Sequence, residues 1–250
     1  MRLNRSFAVV ITLALMAVGR AGATCSTATL TGNFGFVLSG MNSSLFFTSS
    51  MGLVNADGKG GLTGTETISN DGNITSSTVT GSVVINANCS GTVSITPSGE
   101  STQFYSVVVD SKNTQLGMVQ TNAGYTVSGY ALAQGTVTCT LEGLKGVYAY
   151  YGSGWNTTGT LFPTAISGEG SADGLGNLKG LQTASLGGTI VSTSYTGTYT
   201  VNSDCTGTTT TTTSKGVTAT SNNVLVNNGR TLFEISTATG TIEINVGQKQ

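Results

Sequence analysis

Apolar and polar residues alternate along much of the chain, with the period of two that is typical of a half-buried strand. Between positions 79 and 85, Val79, Gly81, Val83 and Ile85 occupy the odd positions, and Thr80 and Ser82 lie between them. The same alternation places Val93 and Ile95 between hydroxyl side chains. One apolar face and one hydroxyl-bearing face predict an antiparallel sheet that is buried on one side.

Sixteen segments of this kind are predicted, eight in each half of the chain. They span residues 29–38, 45–55, 61–69, 74–86, 90–97, 103–110, 114–121 and 125–133, followed by 144–152, 160–171, 176–186, 189–202, 206–213, 217–226, 230–236 and 239–246. Turn-forming pairs such as Asp57-Gly58 and Asp173-Gly174 separate them, because glycine tolerates the positive φ of a tight hairpin. We therefore predict an all-β fold of two tandem eight-stranded antiparallel up-and-down barrels, with β-sandwiches as the alternative.

The two halves are copies of one unit. The opening strand contains Leu30, Gly32, Phe34, Phe36 and Gly40, which return 114 positions later as Leu144, Gly146, Tyr148, Tyr150 and Gly154. A later segment, from Gly81 to Thr92, returns 116 positions on, and Val107-Val108-Val109 is echoed by Val224-Leu225-Val226. A unit of this length is a complete small domain, so the predicted organisation is a leader at 1–23 and barrels at 24–135 and 136–250.

The composition excludes several kinds of chemistry. The chain has no histidine, which excludes catalysis by a Ser-His-Asp triad and imidazole metal sites. It has only ten basic residues, too few for the basic patch that nucleic-acid binding requires. Asp57-Gly58 and Asp173-Gly174 are turns rather than calcium loops, which need several oxygen ligands. We expect no metal, no cofactor and no nucleic-acid partner.

The first residues have the three parts of a secretory signal peptide. Arg2 and Arg5 provide a positive start, residues 7–18 are almost wholly apolar, and Ala21-Gly22-Ala23 is a small-residue cleavage site. The apolar run is shorter than the about 20 residues of a membrane span. We expect cleavage near Ala23, no transmembrane segment in the mature chain, and a location that is secreted, periplasmic or at the cell surface.

The four cysteines repeat with the unit. Cys25 and Cys89 are 64 positions apart, and Cys139 and Cys205 are 66 apart. Four cysteines allow three pairings, and the duplication favours Cys25–Cys89 with Cys139–Cys205. Export would place them in an oxidising compartment, where such pairs become disulfides.

The segment from Gly197 to Thr208, with its sequence GTYTVNSDCTGT, resembles a motif of small exported bacterial proteins of unknown function. The segment from Gly81 to Thr92 is a looser version of it. By analogy of strand number and pattern, this resemblance implies a calycin-type or allene-oxide-cyclase-like barrel. It implies no activity.

Glu66 is the first candidate for a ligand site. It shares the parity of Leu62 and Ile68, which predicts an inward position, where burial would raise the pKa of its carboxyl. Its counterpart in the second half is Gln182. The alternative is a strand end at which the side chain reaches water, since buried glutamate is rare. The aromatic residues predicted to line a cavity, or else to form the core, are Phe34, Phe36, Tyr148 and Tyr150.

Three functions from different classes fit these features. The first is an exported, non-catalytic barrel that binds a small, mostly apolar ligand, because an eight-stranded barrel has room for one. The second is a structural or adhesive protein of the cell surface or matrix, with a surface polymer as its partner, favoured by the low charge and abundant Thr, Ser and Gly. The third is a carboxylate-dependent cyclase or isomerase, whose only predicted acid is Glu66.

Overall fold

The alternating segments form sixteen antiparallel strands in two closed barrels. The computed structural model describes residues 25–250, so the predicted signal peptide lies outside the described residues. The first barrel consists of β1 (Thr31–Asn42), β2 (Phe47–Asp57), β3 (Gly61–Asn70), β4 (Asn73–Ile85), β5 (Ser90–Pro97), β6 (Gln103–Val109), β7 (Gln115–Gln120) and β8 (Tyr125–Ala133), and a 3-10 turn at Thr27–Thr29 precedes it. A short helix, α1 (Leu141–Leu144), follows.

The second barrel repeats this meander. Its strands are β9 (Gly146–Asn156), β10 (Phe162–Ala172), β11 (Asn177–Leu186), β12 (Thr189–Tyr199), β13 (Thr206–Thr213), β14 (Thr218–Val226), β15 (Thr231–Ser236) and β16 (Thr241–Lys249). In each half the first strand pairs with the last, β1 with β8 and β9 with β16. This closure confirms the predicted tandem barrels and shows that the sandwich alternative is wrong, because a sandwich would leave those two strands apart.

Both predicted disulfides are present, Cys25–Cys89 and Cys139–Cys205. Each connects the segment that precedes a barrel to the turn after its fourth strand, at the end where the barrel begins. In the second barrel, α1 covers this same end and buries Leu144. The two ends of a barrel therefore differ, since one is fastened by a disulfide and the other consists of hairpin turns.

Strand pairing defines which positions of the two barrels correspond, and we call such positions matched. The Val109 amide donates to the Cys89 carbonyl, and the Leu225 amide donates to the Cys205 carbonyl, so Val109 matches Leu225. The echo predicted between Val107-Val108-Val109 and Val224-Leu225-Val226 is therefore wrong by one residue. The error arose because both faces of β14 bear apolar side chains there, and the sequence alone did not separate inward from outward positions.

The barrels pack against each other through outward-facing apolar side chains. The buried residues of this interface are Val37, Met51, Leu53, Val224, Val226, Phe233, Ile235 and Val246. At its edge the rings of Phe47 and Trp155 stack with their centroids 4.0 Å apart. Gly35 allows the close approach, because a Cβ there would lie 2.5 Å from a methyl group of Val226. The hydrophobic effect thus holds the barrels together as one unit.

Candidate functional site

The interior of the first barrel is filled. Phe36, Tyr105 and Val107 are at most 2% exposed, and the void left among the core side chains is about 30 Å³. That volume is close to the share of one water molecule in the liquid. Phe34 and Phe36, which the sequence offered as cavity residues, both lie in this packed core.

The interior of the second barrel is hollow, with a cavity of about 430 Å³. Matched positions explain the difference. In the first barrel, Tyr105 lies opposite Val93 and Gln120 on the neighbouring strands. In the second barrel, the residue opposite the matched positions, Thr209 and Ser236, is Ser221. The tyrosine ring that helps to fill the first barrel is therefore replaced by the small side chain of serine in the second.

Two further exchanges have the same effect. Leu38 of the first barrel matches Gly152 in the second, which removes a whole side chain. Val93 matches Thr209, which replaces a methyl group by a hydroxyl. Together these exchanges remove apolar volume and introduce polar groups, so the cavity is a consequence of the sequence of the second half.

One end of the cavity is closed and the other is open. Leu144 from α1, with Leu178 and Leu232, lines the closed end beside the disulfide. At the hairpin end, the inward-facing Leu186 and Val217 are 41% and 63% exposed. The cavity therefore has an apolar floor and a mouth that opens to solvent.

Two carboxylates line the cavity, Glu234 on β15 and Glu243 on β16. Burial raises the pKa of both carboxyl groups, and the charge of Glu243 raises that of Glu234 further. The matched positions in the first barrel are Met118 and Val127. The acidic pair therefore occurs only in the hollow barrel.

The protein gives these carboxylates few hydrogen bonds. Glu243 accepts one from the Thr164 hydroxyl and one from the Asn245 amide, both at 3.2 Å. Glu234 accepts one from the Ser221 hydroxyl at 3.4 Å, and the nearby Thr209 hydroxyl also stabilises its charged form and lowers its pKa against the larger effect of burial. Hydrogen bonds to a carboxylate normally measure about 2.7–2.9 Å, so these contacts leave much of the acceptor capacity unused.

Tyr150 on β9, Gln182 on β11 and Tyr195 on β12 form a further part of the cavity wall, and β9 pairs directly with β16, which bears Glu243. The Tyr150 hydroxyl donates to Gln182 Oε1 at 3.1 Å, and the rings of Tyr150 and Tyr195 meet edge to face with centroids 6.3 Å apart. Gly168 makes room for this arrangement, because a Cβ there would lie 2.7 Å from the Tyr150 hydroxyl. Of the residues that the sequence singled out, Tyr148, Tyr150 and Gln182 thus line one cavity.

Glu66 lies in the filled barrel, and its side chain is only 3% exposed. It faces inward, and burial, with a smaller effect of Glu100, raises the pKa of its carboxyl to about 7. Its Oε1 has no hydrogen-bond partner within residues 25–250. The interior void of this barrel is lined by other residues, whereas Glu66 borders a crevice between the two barrels, with Thr67 and Asn222. Glu66 and Gln182 are matched in register, but only Gln182 borders the large interior cavity.

Sequence analysis missed Glu234 and Glu243. Both lie in strands that it predicted, at positions that share the parity of Leu232 and Gly247 respectively. The internal repeat could have identified them. When the two copies are aligned by strand register, Glu234 stands where the first copy has Met118, and Glu243 where it has Val127. The one-residue error in the alignment of β14 hid this contrast.

Outside the cavity, the second barrel bears an array of exposed threonines along β12 and β13. Its members are Thr196, Thr198, Thr200, Thr208, Thr210 and Thr212. Some hydroxyls pair across the strands, as in Thr200 with Thr208 at 2.8 Å. The run of threonine from Thr208 to Thr213 is therefore a strand with alternate side chains in and out.

No protein-family model matches the sequence, and no curated protein matches it. Among solved structures, a protein of unknown function from the DUF3598 family of Nostoc punctiforme is similar to this chain. The two are 12% identical with a TM-score of 0.26, over 89% of this chain and 97% of the other. A similarity of this strength supports no inference about function. The calycin-type analogy drawn from the sequence stays a prediction.

Proposed function

We propose that this protein binds a small organic ligand inside its second barrel and that the filled first barrel supports it. The observation that supports this most directly is the contrast between interiors of about 430 Å³ and about 30 Å³ in two copies of one unit. Cavities that hold small ligands in proteins begin at about 300 Å³. The hollow interior lowers packing stability, which favours a role for the space.

The residues that line the cavity indicate which chemical groups a ligand needs. The floor, with Leu144, Leu178 and Leu232, suits an apolar group, whereas the middle layer, with Gln182 and Glu234, suits hydrogen-bonding groups. The expected ligand is therefore amphipathic, with its apolar end inserted first, rather than mostly apolar as the sequence indicated. The acidic pair also has the raised pKa values of general acids and bases, but binding requires only the cavity itself.

The test refills the cavity with the residues of the first barrel. We expect the native protein to bind the neutral fluorescent probe N-phenyl-1-naphthylamine at one site, with enhanced emission. The double variant Ser221→Tyr/Thr211→Ile restores the matched Tyr105 and Ile95 and should weaken binding about ten-fold or more, since the probe loses its space.

The matched control is Thr210→Tyr, which places the same ring on the exposed outer face of β13, away from the cavity lining, and should bind the probe as the native protein does. Thermal unfolding followed by circular dichroism verifies that the refilled variant is folded. Equal probe binding by the refilled and native proteins, or no binding by the native protein, would contradict the proposal.

We also propose that the chain is exported, with residues 1–23 as its signal peptide. Both disulfides fit an oxidising compartment. Among residues 25–250, no helix has the length and apolar character needed to cross a membrane. Mass spectrometry of the protein from the periplasm or medium of an expressing bacterium should give a chain that starts at Thr24 with both disulfides intact. A chain that keeps Met1 and stays in the cytoplasm would contradict export.

The threonine array favours the second candidate, a protein that attaches to a surface polymer. Its six members are exposed and bear hydroxyl groups. The array has no aromatic ring of the kind on which sugars stack, which weakens this candidate. The cavity has a closed apolar floor and a defined set of polar side chains above it, and it therefore supports the ligand-binding proposal more strongly.

A further inference from the structure

We propose that the ligand of the second barrel is a small organic cation, such as a protonated amine, that binds between Glu234 and Glu243. This inference rests on the proposed function, because it names the chemical class of the ligand in the same cavity. It rests on the negative charge of the cavity wall and on oxygen atoms there that accept no hydrogen bond from residues 25–250.

The cavity wall has acidic groups without basic partners. Lys215, in the turn at the mouth, is the one basic residue among the described residues that line the cavity. Within residues 25–250 the one salt bridge joins Lys145 to Glu142 on the surface. A buried carboxylate without a counter-charge is costly, and a cationic ligand would supply that charge at both glutamates.

Unused hydrogen-bonding atoms in the wall are mainly acceptors. Besides the carboxylates, the side-chain oxygen of Asn245 is shielded from solvent and has no hydrogen-bond partner among the described residues. The Asn245 amide already donates to Glu243. The Thr193 hydroxyl oxygen, across the cavity, is likewise without a partner in residues 25–250. A ligand that donates several hydrogen bonds, as an ammonium group does, is complementary to this set.

The aromatic wall favours a cation as well. The Tyr150 hydroxyl reaches Gln182, the ring of Tyr195 meets that of Tyr150 edge to face, and both rings line the same cavity as Glu234 and Glu243. Tyrosine faces attract cations within about 6 Å of the ring centre.

The glycine-rich wall of the second barrel leaves room for this group next to the acids. Glu243 lies opposite Gly154, and Gly154 lies opposite Thr164. Because the intervening residue has no side chain, the Thr164 hydroxyl reaches Glu243 across one strand and fixes the direction of its carboxylate. A cation that enters from the mouth meets Glu243 before it meets Glu234.

The test compares two ligands of equal shape, 2-phenylethylamine and 2-phenylethanol, as competitors of N-phenyl-1-naphthylamine near pH 8. The amine is protonated there, because alkyl amines have a pKa of about 10.4. We expect the amine to displace the probe from the native protein at about ten-fold lower concentration than the alcohol, since a charge-assisted hydrogen bond is worth about that factor.

The double variant Glu234→Gln/Glu243→Gln should bind the probe and lose this preference. The control Glu169→Gln removes an exposed carboxylate from the outer face of β10, and this variant should still prefer the amine to the alcohol. Equal displacement by the two competitors in the native protein, or a preference that survives in the double variant, would overturn the cation proposal and leave the binding cavity intact. Failure of the native protein to bind the probe at all would instead overturn the proposed function.

Discussion

Replacement of Cys139 and Cys205 by serine should lower the free energy of unfolding by about 4 kcal/mol, because the bridge closes a loop of 66 residues. Without it, the unfolded chain gains the conformational freedom of that loop. The measurement is denaturation by urea, followed by the fluorescence of the one tryptophan, Trp155, which lies in the second barrel. Cys205 is 1% exposed, so part of the loss also comes from the buried site.

The first disulfide provides the matched control. Cys25 and Cys89 are separated by 64 residues, so loop closure alone predicts the same loss for the serine pair Cys25→Ser/Cys89→Ser. A larger loss in the second barrel would show that the bridge also supports the base of the cavity beside Leu144. A loss below about 1 kcal/mol in either variant would contradict the loop-closure account.

The variant Glu66→Gln should be more stable than the native protein at pH 8, by about 2–3 kcal/mol, and equally stable at pH 4. The folded state raises the pKa of this carboxyl from 4.5 to about 7, so the folded protein retains a proton that the unfolded chain has lost. The native protein therefore becomes less stable as pH rises from about 4.5 to about 7, and the loss is complete above that range. A glutamine has no such proton to lose.

Urea denaturation at a series of pH values measures this difference directly. Glu169→Gln is the control, because Glu169 is exposed and lies in the other barrel, and its removal should change the stability by at most about 0.5 kcal/mol. A Glu66→Gln variant that is less stable than the native protein at pH 8 would show that the carboxylate is paired with a group that stabilises its charge.

The sequence predicted the strands and the disulfides because each depends on a local or repeated pattern. Alternation identifies strands without knowledge of their partners, and the duplicated spacing of Cys25, Cys89, Cys139 and Cys205 leaves one pairing that respects the repeat. Closure of each barrel follows from eight short strands in sequence order. These properties do not depend on how the two halves contact each other.

The packing of the barrels was not predictable from the same pattern. Phe233 and Ile235 face outward, whereas Leu232 and Glu234 on the same strand face inward. Both faces of β15 are therefore covered, one by the first barrel and one by its own interior. In the sequence such a strand has the near-continuous apolar character of any buried strand. The residues of β15 do not indicate that its outer face is covered by the first barrel.

The cavity could be predicted in part. Tyr148 and Tyr150 were singled out as aromatic residues of the repeated opening strand, and Gln182 as the counterpart of Glu66 in the second copy. The hollow volume was not found, because it depends on differences between matched positions, such as Tyr105 and Ser221, that lie on strands far apart in sequence. Buried acids oppose the usual rule that glutamate stays at the surface, and Glu66, Glu234 and Glu243 all depart from that rule.

The two bridges connect cysteines that are neighbours in chain order, with neither loop enclosing the other. If the chain is exported from its N-terminus into an oxidising compartment, as we propose, Cys89 can pair only with Cys25 before Cys139 arrives. Each bond then forms in its turn with the correct partner already present, and thiol reshuffling is not needed. Because each copy of the duplicated unit contains both cysteines of its own bridge, the disulfides can form between the correct partners even though the interiors of the two copies have diverged.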